Sequence, residues 1–151
     1  MFVFVVLLLV PAFLLISFLL AQGGWSRLAE RYRARTGVEG PTWRFQYGTV
    51  GLARYGYTLT FTVTDAGLGV RVFPLYRFMH PPLLIPWRDL AVRREKVFWV
   101  WRVELTAREV PGVVVVVGQG LALALARAAG PLWPDREMLA EPAAANARTV
   151  D

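Results

Sequence analysis

The chain has 151 residues, of which 56% are hydrophobic and none is cysteine, and 17 basic against 11 acidic side chains give it a net charge of +6. The lack of cysteine excludes disulfides, thiol catalysis, zinc–thiolate sites and iron–sulfur clusters. Basic residues are scattered along the chain, and the only cluster is Arg93, Arg94 and Lys96. Nucleic-acid-binding proteins concentrate such residues on one face or helix, so the sequence argues against a nucleic-acid partner.

Residues 1–21 are almost continuously apolar and carry no charged side chain. As a helix rising about 1.5 Å per residue, this run is long enough for a hydrocarbon core of about 30 Å. A cleaved signal peptide is the alternative, but it has a basic start, an apolar stretch of about 7–15 residues and small residues at the cleavage site. No basic residue precedes Arg27, and the bulky Leu19 occupies the position where a small residue is needed. We therefore predict a transmembrane helix over residues 1–22.

A juxtamembrane amphipathic helix and linker are predicted over residues 23–41. Trp25, Leu28, Ala29 and Tyr32 recur at helical spacing, and residues 36–41 are rich in helix breakers. Arginines flank only the C-terminal side of the apolar run, so the positive-inside rule predicts a cytoplasmic location for residues 23–151. The residues expected at the membrane interface are Trp25, Arg27, Arg31, Tyr32 and Arg33.

A β-domain is predicted over residues 42–130, where the hydrophobic period changes to two. A first strand over residues 43–52 has an irregularity near Gly48. The strongest strand signal covers residues 57–63, where apolar residues alternate with threonines. Asp65, Ala66 and Gly67 form a short hairpin turn, and residues 68–72 continue as the return strand.

Further short strands and one helix complete the predicted domain. Strands are expected over residues 83–86, 92–96, 98–106 and 113–117, the last being five consecutive valines. Trp99 and Trp101 share one face of their strand, and we predict that this face is buried in the core. The Ala- and Leu-rich residues 119–129 predict a helix, and the Pro- and Ala-rich residues 131–151 predict a flexible tail.

About seven short strands joined by hairpins imply an antiparallel sheet that must close or stack to bury its apolar face. The fold class is therefore mainly β, a barrel or sandwich capped by one C-terminal helix. Two short motifs stand out within this order of elements, T-D-A-G-L at residues 64–68 and L-L-I-P-W-R-D-L at residues 83–90. With these motifs, the order of elements resembles pleckstrin-homology-like domains, including their bacterial and GRAM-like branches. The passage from Trp25 to Leu90 also resembles membrane-anchored bacterial proteins that begin with the pattern Gly-Trp-x-Arg-Leu-Ala-x-Arg-Tyr.

The resemblance implies a binding or scaffold module rather than an enzyme. Members that bind phosphoinositides place Lys and Arg in and around the first hairpin, where this chain has Arg54, with Arg44 on the strand before it. The resemblance therefore argues against phosphoinositide recognition by this chain.

The sequence offers few groups for catalysis, and we predict no catalytic residue, no metal site and no cofactor. Its only serines are Ser17 and Ser26, inside and beside the predicted membrane helix, so no nucleophilic triad is available. The single histidine, His80, lies in a Pro-rich loop. One interpretation is a site formed with Asp89; the other is that the His80 side chain holds the loop through a hydrogen bond.

The loop over residues 73–82 is the candidate partner-binding surface. It is longer than common hairpin connections and carries aromatic and methionine side chains of the kind enriched at interfaces. Its candidate residues are Tyr76, Arg77, Phe78, Met79 and His80. The sequence thus predicts a membrane-anchored, non-catalytic module that binds a protein partner or the membrane surface. The alternative is a secreted or envelope-exposed barrel that binds a small apolar ligand.

Overall fold

The computed structural model describes residues 2–35 and 37–138. Helix α1 (Phe2–Leu20) is followed by a π-helical turn (Ala21–Trp25) and by the short helix α2 (Ser26–Tyr32). Gly24 breaks the helical path with a φ of 141°, a conformation that side chains with a Cβ rarely adopt. Among the described residues, one helical segment is long and apolar enough to cross a membrane, judged by length and composition.

Seven strands form one antiparallel sheet in the order β4-β3-β2-β1-β7-β6-β5. The sheet curls into a half-barrel, and helix α3 (Gln119–Ala129) follows its last strand. The strands are β1 (Thr42–Val50), β2 (Ala53–Val63), β3 (Gly67–Val72), β4 (Leu83–Pro86), β5 (Leu90–Val97), β6 (Val100–Ala107) and β7 (Val110–Gly118). The predicted mainly-β class, with seven antiparallel strands and a C-terminal helix, is confirmed.

The core lies on the inner face of the curled sheet and is closed by the two short helices. Alternate residues of β2 and β3, such as Leu59, Phe61 and Val70, are buried, as the period-two pattern predicts. Helix α3 contributes a buried stripe that includes Leu125, and α2 packs against β4 and β7. This packing gives α2 a structural role in the domain.

Two predicted boundaries differ from the structure. Trp25, Leu28 and Tyr32 belong to the core cluster, so part of the predicted linker segment over residues 23–41 is built into the domain. Trp133 and Met138 are also buried, so residues 131–138 pack on the domain although a flexible tail was predicted from residue 131. The remainder of that tail lies outside the described residues. In both places an apolar side chain from a polar or Pro-rich segment packs against a distant part of the domain. Local composition does not show this contact.

The predicted burial of Trp99 and Trp101 is wrong. Trp99 is 86% exposed and Trp101 is 39% exposed, although Val103 and Leu105 on the same strand face are buried. The register explains the difference, because Arg102 pairs with Gly118, the last residue of β7. The β5–β6 hairpin extends beyond this point, so its tip has no core to face.

Candidate functional site

His80 lies at the centre of a buried cluster that joins the loop over residues 73–82 to the helical N-terminal segment. Its Nδ1–H donates to the Tyr76 carbonyl oxygen at 3.1 Å, which leaves Nε2 to accept the Tyr55 hydroxyl at 2.9 Å. The ring also packs edge-on against Trp25 at 5.3 Å. Burial lowers the pKa of His80, opposed by the hydrogen bond to Tyr76, and burial raises the pKa of Tyr55. Both ring nitrogens are therefore used to hold the loop.

Asp89, which one interpretation of the sequence places with His80 in a catalytic or metal site, is engaged elsewhere. Its carboxylate accepts the Tyr32 hydroxyl at 3.1 Å, and that hydroxyl oxygen accepts the Glu109 backbone N–H at 2.9 Å. The pKa of Tyr32 is raised, mainly by burial. His80 and Asp89 therefore have different hydrogen-bond partners, and the structure does not bring them together in one site.

Trp25 fixes the end of the apolar helix to the domain. Its side chain is 0% exposed, and its indole N–H donates to the Pro81 carbonyl oxygen at 2.9 Å. Nearby, the Leu52 N–H in the β1–β2 turn donates to the Gly23 carbonyl oxygen at 3.0 Å. Trp25 and Tyr32 were expected at a membrane interface, but both are buried in the core of the domain, so the expectation is wrong for these two residues. The three arginines expected at the same interface are exposed.

The candidate loop places its five predicted residues in different environments. Arg77 and Phe78 are exposed, Tyr76 and Met79 are half-buried, and His80 is buried. The Tyr76 ring lies 5.2 Å from the ring of Phe13 in α1. Leu75, which is 59% exposed, and Phe73 extend the apolar surface of the loop beyond the predicted set. Their apolar character and their place in the loop were the available sequence signals.

A second exposed apolar surface lies at the tip of the β5–β6 hairpin. Trp101 stacks under two cations, with the Arg94 guanidinium 5.9 Å and the Lys96 ammonium 5.6 Å from its ring centre. This tip extends beyond Gly118, whereas Val113 at the other end of β7 lies against Gly24. We call residues 98–101 the distal tip, because they lie at the end of the sheet opposite the junction with α1. Sequence reasoning missed this surface because it predicted the tryptophans to be inward-facing.

A third feature is a cavity of about 230 Å³ on the outer face of β1, β2 and β3, which we call the basic pocket. Three arginines line it, Arg44 from β1, Arg71 from β3 and Arg77 from the loop. None of the three forms an ion pair with another described residue. The remaining lining residues are hydroxylated or apolar: Phe45, Thr58, Thr60, Val72, Phe73 and Pro74.

These surfaces have no counterpart from which a role can be transferred. The chain matches no protein-family model, no curated protein and no solved structure. Its function is therefore inferred from the contacts, exposure and charge described above.

Proposed function

We propose that this chain is a single-pass membrane protein whose β-domain is a non-catalytic binding module seated on the cytoplasmic leaflet. The uncharged helix α1 has the length of a membrane span, and only 6% of its most apolar window is buried by the rest of the chain. A helix from the core of a water-soluble domain would be covered on at least one face. The arginines that follow α1 favour the cytoplasmic side for the domain.

The observation that carries this proposal is the fixed junction between α1 and the domain. The buried Trp25 and the backbone hydrogen bond from Leu52 N–H to the Gly23 carbonyl oxygen hold the end of α1 in one orientation. Phe13, which contacts Tyr76, precedes the end of α1 by about 10 Å along the helix axis. In this orientation the loop lies beside the last turns of the span, and its exposed Leu75 and Phe78 enter the leaflet.

The distal tip then faces away from the membrane and is the surface available to a protein partner. Contiguous exposed apolar patches mark interaction sites, and tryptophan is enriched among the residues that contribute most to protein interfaces. The neighbouring Lys96 favours a partner with an acidic rim around an apolar patch. A seven-stranded sheet with a C-terminal helix supports a pleckstrin-homology-like scaffold, which we retain as part of the proposal.

Single cysteines provide a direct test, because the natural chain contains none. Leu75→Cys, Phe78→Cys and Trp99→Cys would each be reconstituted as full-length protein in lipid nanodiscs and treated with a water-soluble maleimide. We expect slow labelling at 75 and 78 and fast labelling at 99, since the first two sites lie in lipid. Equally fast labelling at all three sites would contradict the proposed seating.

The same variants test which side of the membrane the domain occupies. In intact cells an impermeant maleimide should leave Trp99→Cys unlabelled, and disrupting the membrane should expose it. Labelling in intact cells would instead place the domain outside the cytoplasm. A mass that retains residues 1–21 would exclude the secreted alternative.

A further inference from the structure

We propose that the basic pocket binds a phosphate group through Arg44, Arg71 and Arg77. This site is separate from the distal tip and assigns a ligand class to the domain. Phosphate binding itself does not depend on the membrane seating proposed above. Only the identity of a lipid as the source of the phosphate rests on that seating.

Strand register brings the pocket together from three parts of the chain. Thr60 in β2 lies directly opposite Arg71 in β3, so the hydroxyl and the guanidinium start from neighbouring positions on one sheet face. A bulge between Trp43 and Gln46 in β1 carries Arg44 and Phe45. Such bulges bend a strand and redirect its side chains. Here the bulge contributes both residues to the wall of the pocket.

The backbone at the bulge adopts an uncommon conformation. Phe45 has a φ of +55°, in the left-handed region that side chains with a Cβ rarely occupy. Its ring centre lies 6.5 Å from that of Phe73, which also lines the cavity. Strained residues of this kind cluster at binding sites, where the surrounding structure holds them in place. The two rings form an apolar wall beside the three arginines.

The charge of the pocket determines the ligand class. Three arginines line a small cavity, and no acidic residue is among its lining residues, so an anion bound there would offset the positive charge. Guanidinium groups donate paired hydrogen bonds to phosphate oxygens, and threonine hydroxyls supply further donors. A carboxylate offers two oxygens, whereas a phosphate offers oxygens in several directions. Donors from three separate strands and loops therefore fit a phosphate better than a carboxylate.

Two sources share this chemistry, a lipid headgroup and free phosphate. Phe73 and Arg77 belong to the loop that contacts α1, so the pocket lies next to the segment proposed to enter the leaflet. This position makes the phosphate of an anionic lipid the expected ligand. The aromatic wall of Phe45 and Phe73 is suited to the glycerol and first methylenes of such a lipid.

The test measures binding of two probes to the full chain in uncharged detergent micelles by titration calorimetry. The probes are inorganic phosphate and a short-chain phosphatidylglycerol. The variants are Arg44→Gln and Arg71→Gln, and the matched control is Arg127→Gln, which removes the same charge from an exposed position on α3. Losing one charge-assisted contact should weaken binding about tenfold in the pocket variants, and the control should change it less than about twofold.

The results distinguish three cases: binding of a lipid headgroup, binding of free phosphate, and no specific phosphate binding. Lipid binding that is weakened in Arg71→Gln, without measurable binding of inorganic phosphate, supports a lipid headgroup. Equal dependence on Arg71 for both probes supports recognition of the phosphate itself. No binding of either probe, or equal weakening in Arg127→Gln, would overturn the proposal. Unchanged thermal unfolding of each variant, measured by circular dichroism, shows that a loss of binding is not a loss of folding. Failure of the cysteine-labelling test would leave these results unaffected.

Discussion

Replacing Trp25 with alanine should strongly destabilise the domain. The side chain is 0% exposed and packs against Tyr55 and His80. A tryptophan buries about 150–250 Å², and at about 25 cal/mol per Å² its removal costs about 4–6 kcal/mol as an upper bound. Large aromatic-to-alanine changes in cores cost about 3–5 kcal/mol, and the Pro81 carbonyl also loses its donor. We expect a loss of about 3–5 kcal/mol in the free energy of unfolding.

The assay is urea unfolding of the full-length chain in detergent micelles, followed by far-ultraviolet circular dichroism. Trp99→Ala is the matched control, because it removes the same side chain from a position that is 86% exposed. That control should change stability by no more than about 0.5 kcal/mol. Trp25→Phe should lie between the two, since it keeps most of the apolar contact and loses the indole donor. Equal stability of Trp25→Ala and Trp99→Ala would refute the reasoning and favour a Trp25 ring that lies in lipid headgroups.

Two further predictions concern the same junction. Gly51→Ala should destabilise the domain by more than about 1 kcal/mol, because Gly51 has a φ of +59° and a Cβ there would clash with the Gly23 carbonyl oxygen. Gly56→Ala is the control and should change stability little, because a Cβ at that position contacts no other atom. Stability should also fall as the pH drops below about 6.5, the ordinary pKa of histidine, because burial lowers the pKa of His80 and the unfolded chain then binds a proton more readily than the folded chain. The loss continues until the pH reaches the lowered pKa, and His80→Asn should lack this component of the pH profile. Urea unfolding in micelles measures both effects; an unchanged pH profile in His80→Asn, or equal stability of the two glycine variants, would contradict them.

Local patterns predicted the strands and the C-terminal helix because their signals lie within a few residues. The alternation around Leu59 and Phe61 identifies a strand with one apolar face, and the structure buries that face. The helical spacing of Trp25 and Tyr32 likewise identified an apolar stripe. It did not identify what covers the stripe, because lipid headgroups and a protein core select similar side chains.

The candidate site was only partly predictable for the same reason. The loop over residues 73–82 was identified from its length and composition, but its division into a buried His80 and an exposed Phe78 depends on where Tyr55 and α1 lie. The basic pocket was not predicted at all. Arg44 and Arg71 come together only through the pairing of β1 with β2 and β2 with β3, and Arg77 joins them through the path of the loop that follows β3.

The sequence by itself determined the apolar helix, the strand-rich domain, the helix that follows it and the absence of thiol chemistry. These features depend on composition and on periods of two or 3.6 residues, which are properties of short segments. The tertiary structure decided which apolar faces are covered, as the buried Trp25 and the exposed Trp99 show. It also decided which distant arginines share a cavity. Register and the packing of one element on another set both outcomes, and neither is encoded in the local pattern of any single segment.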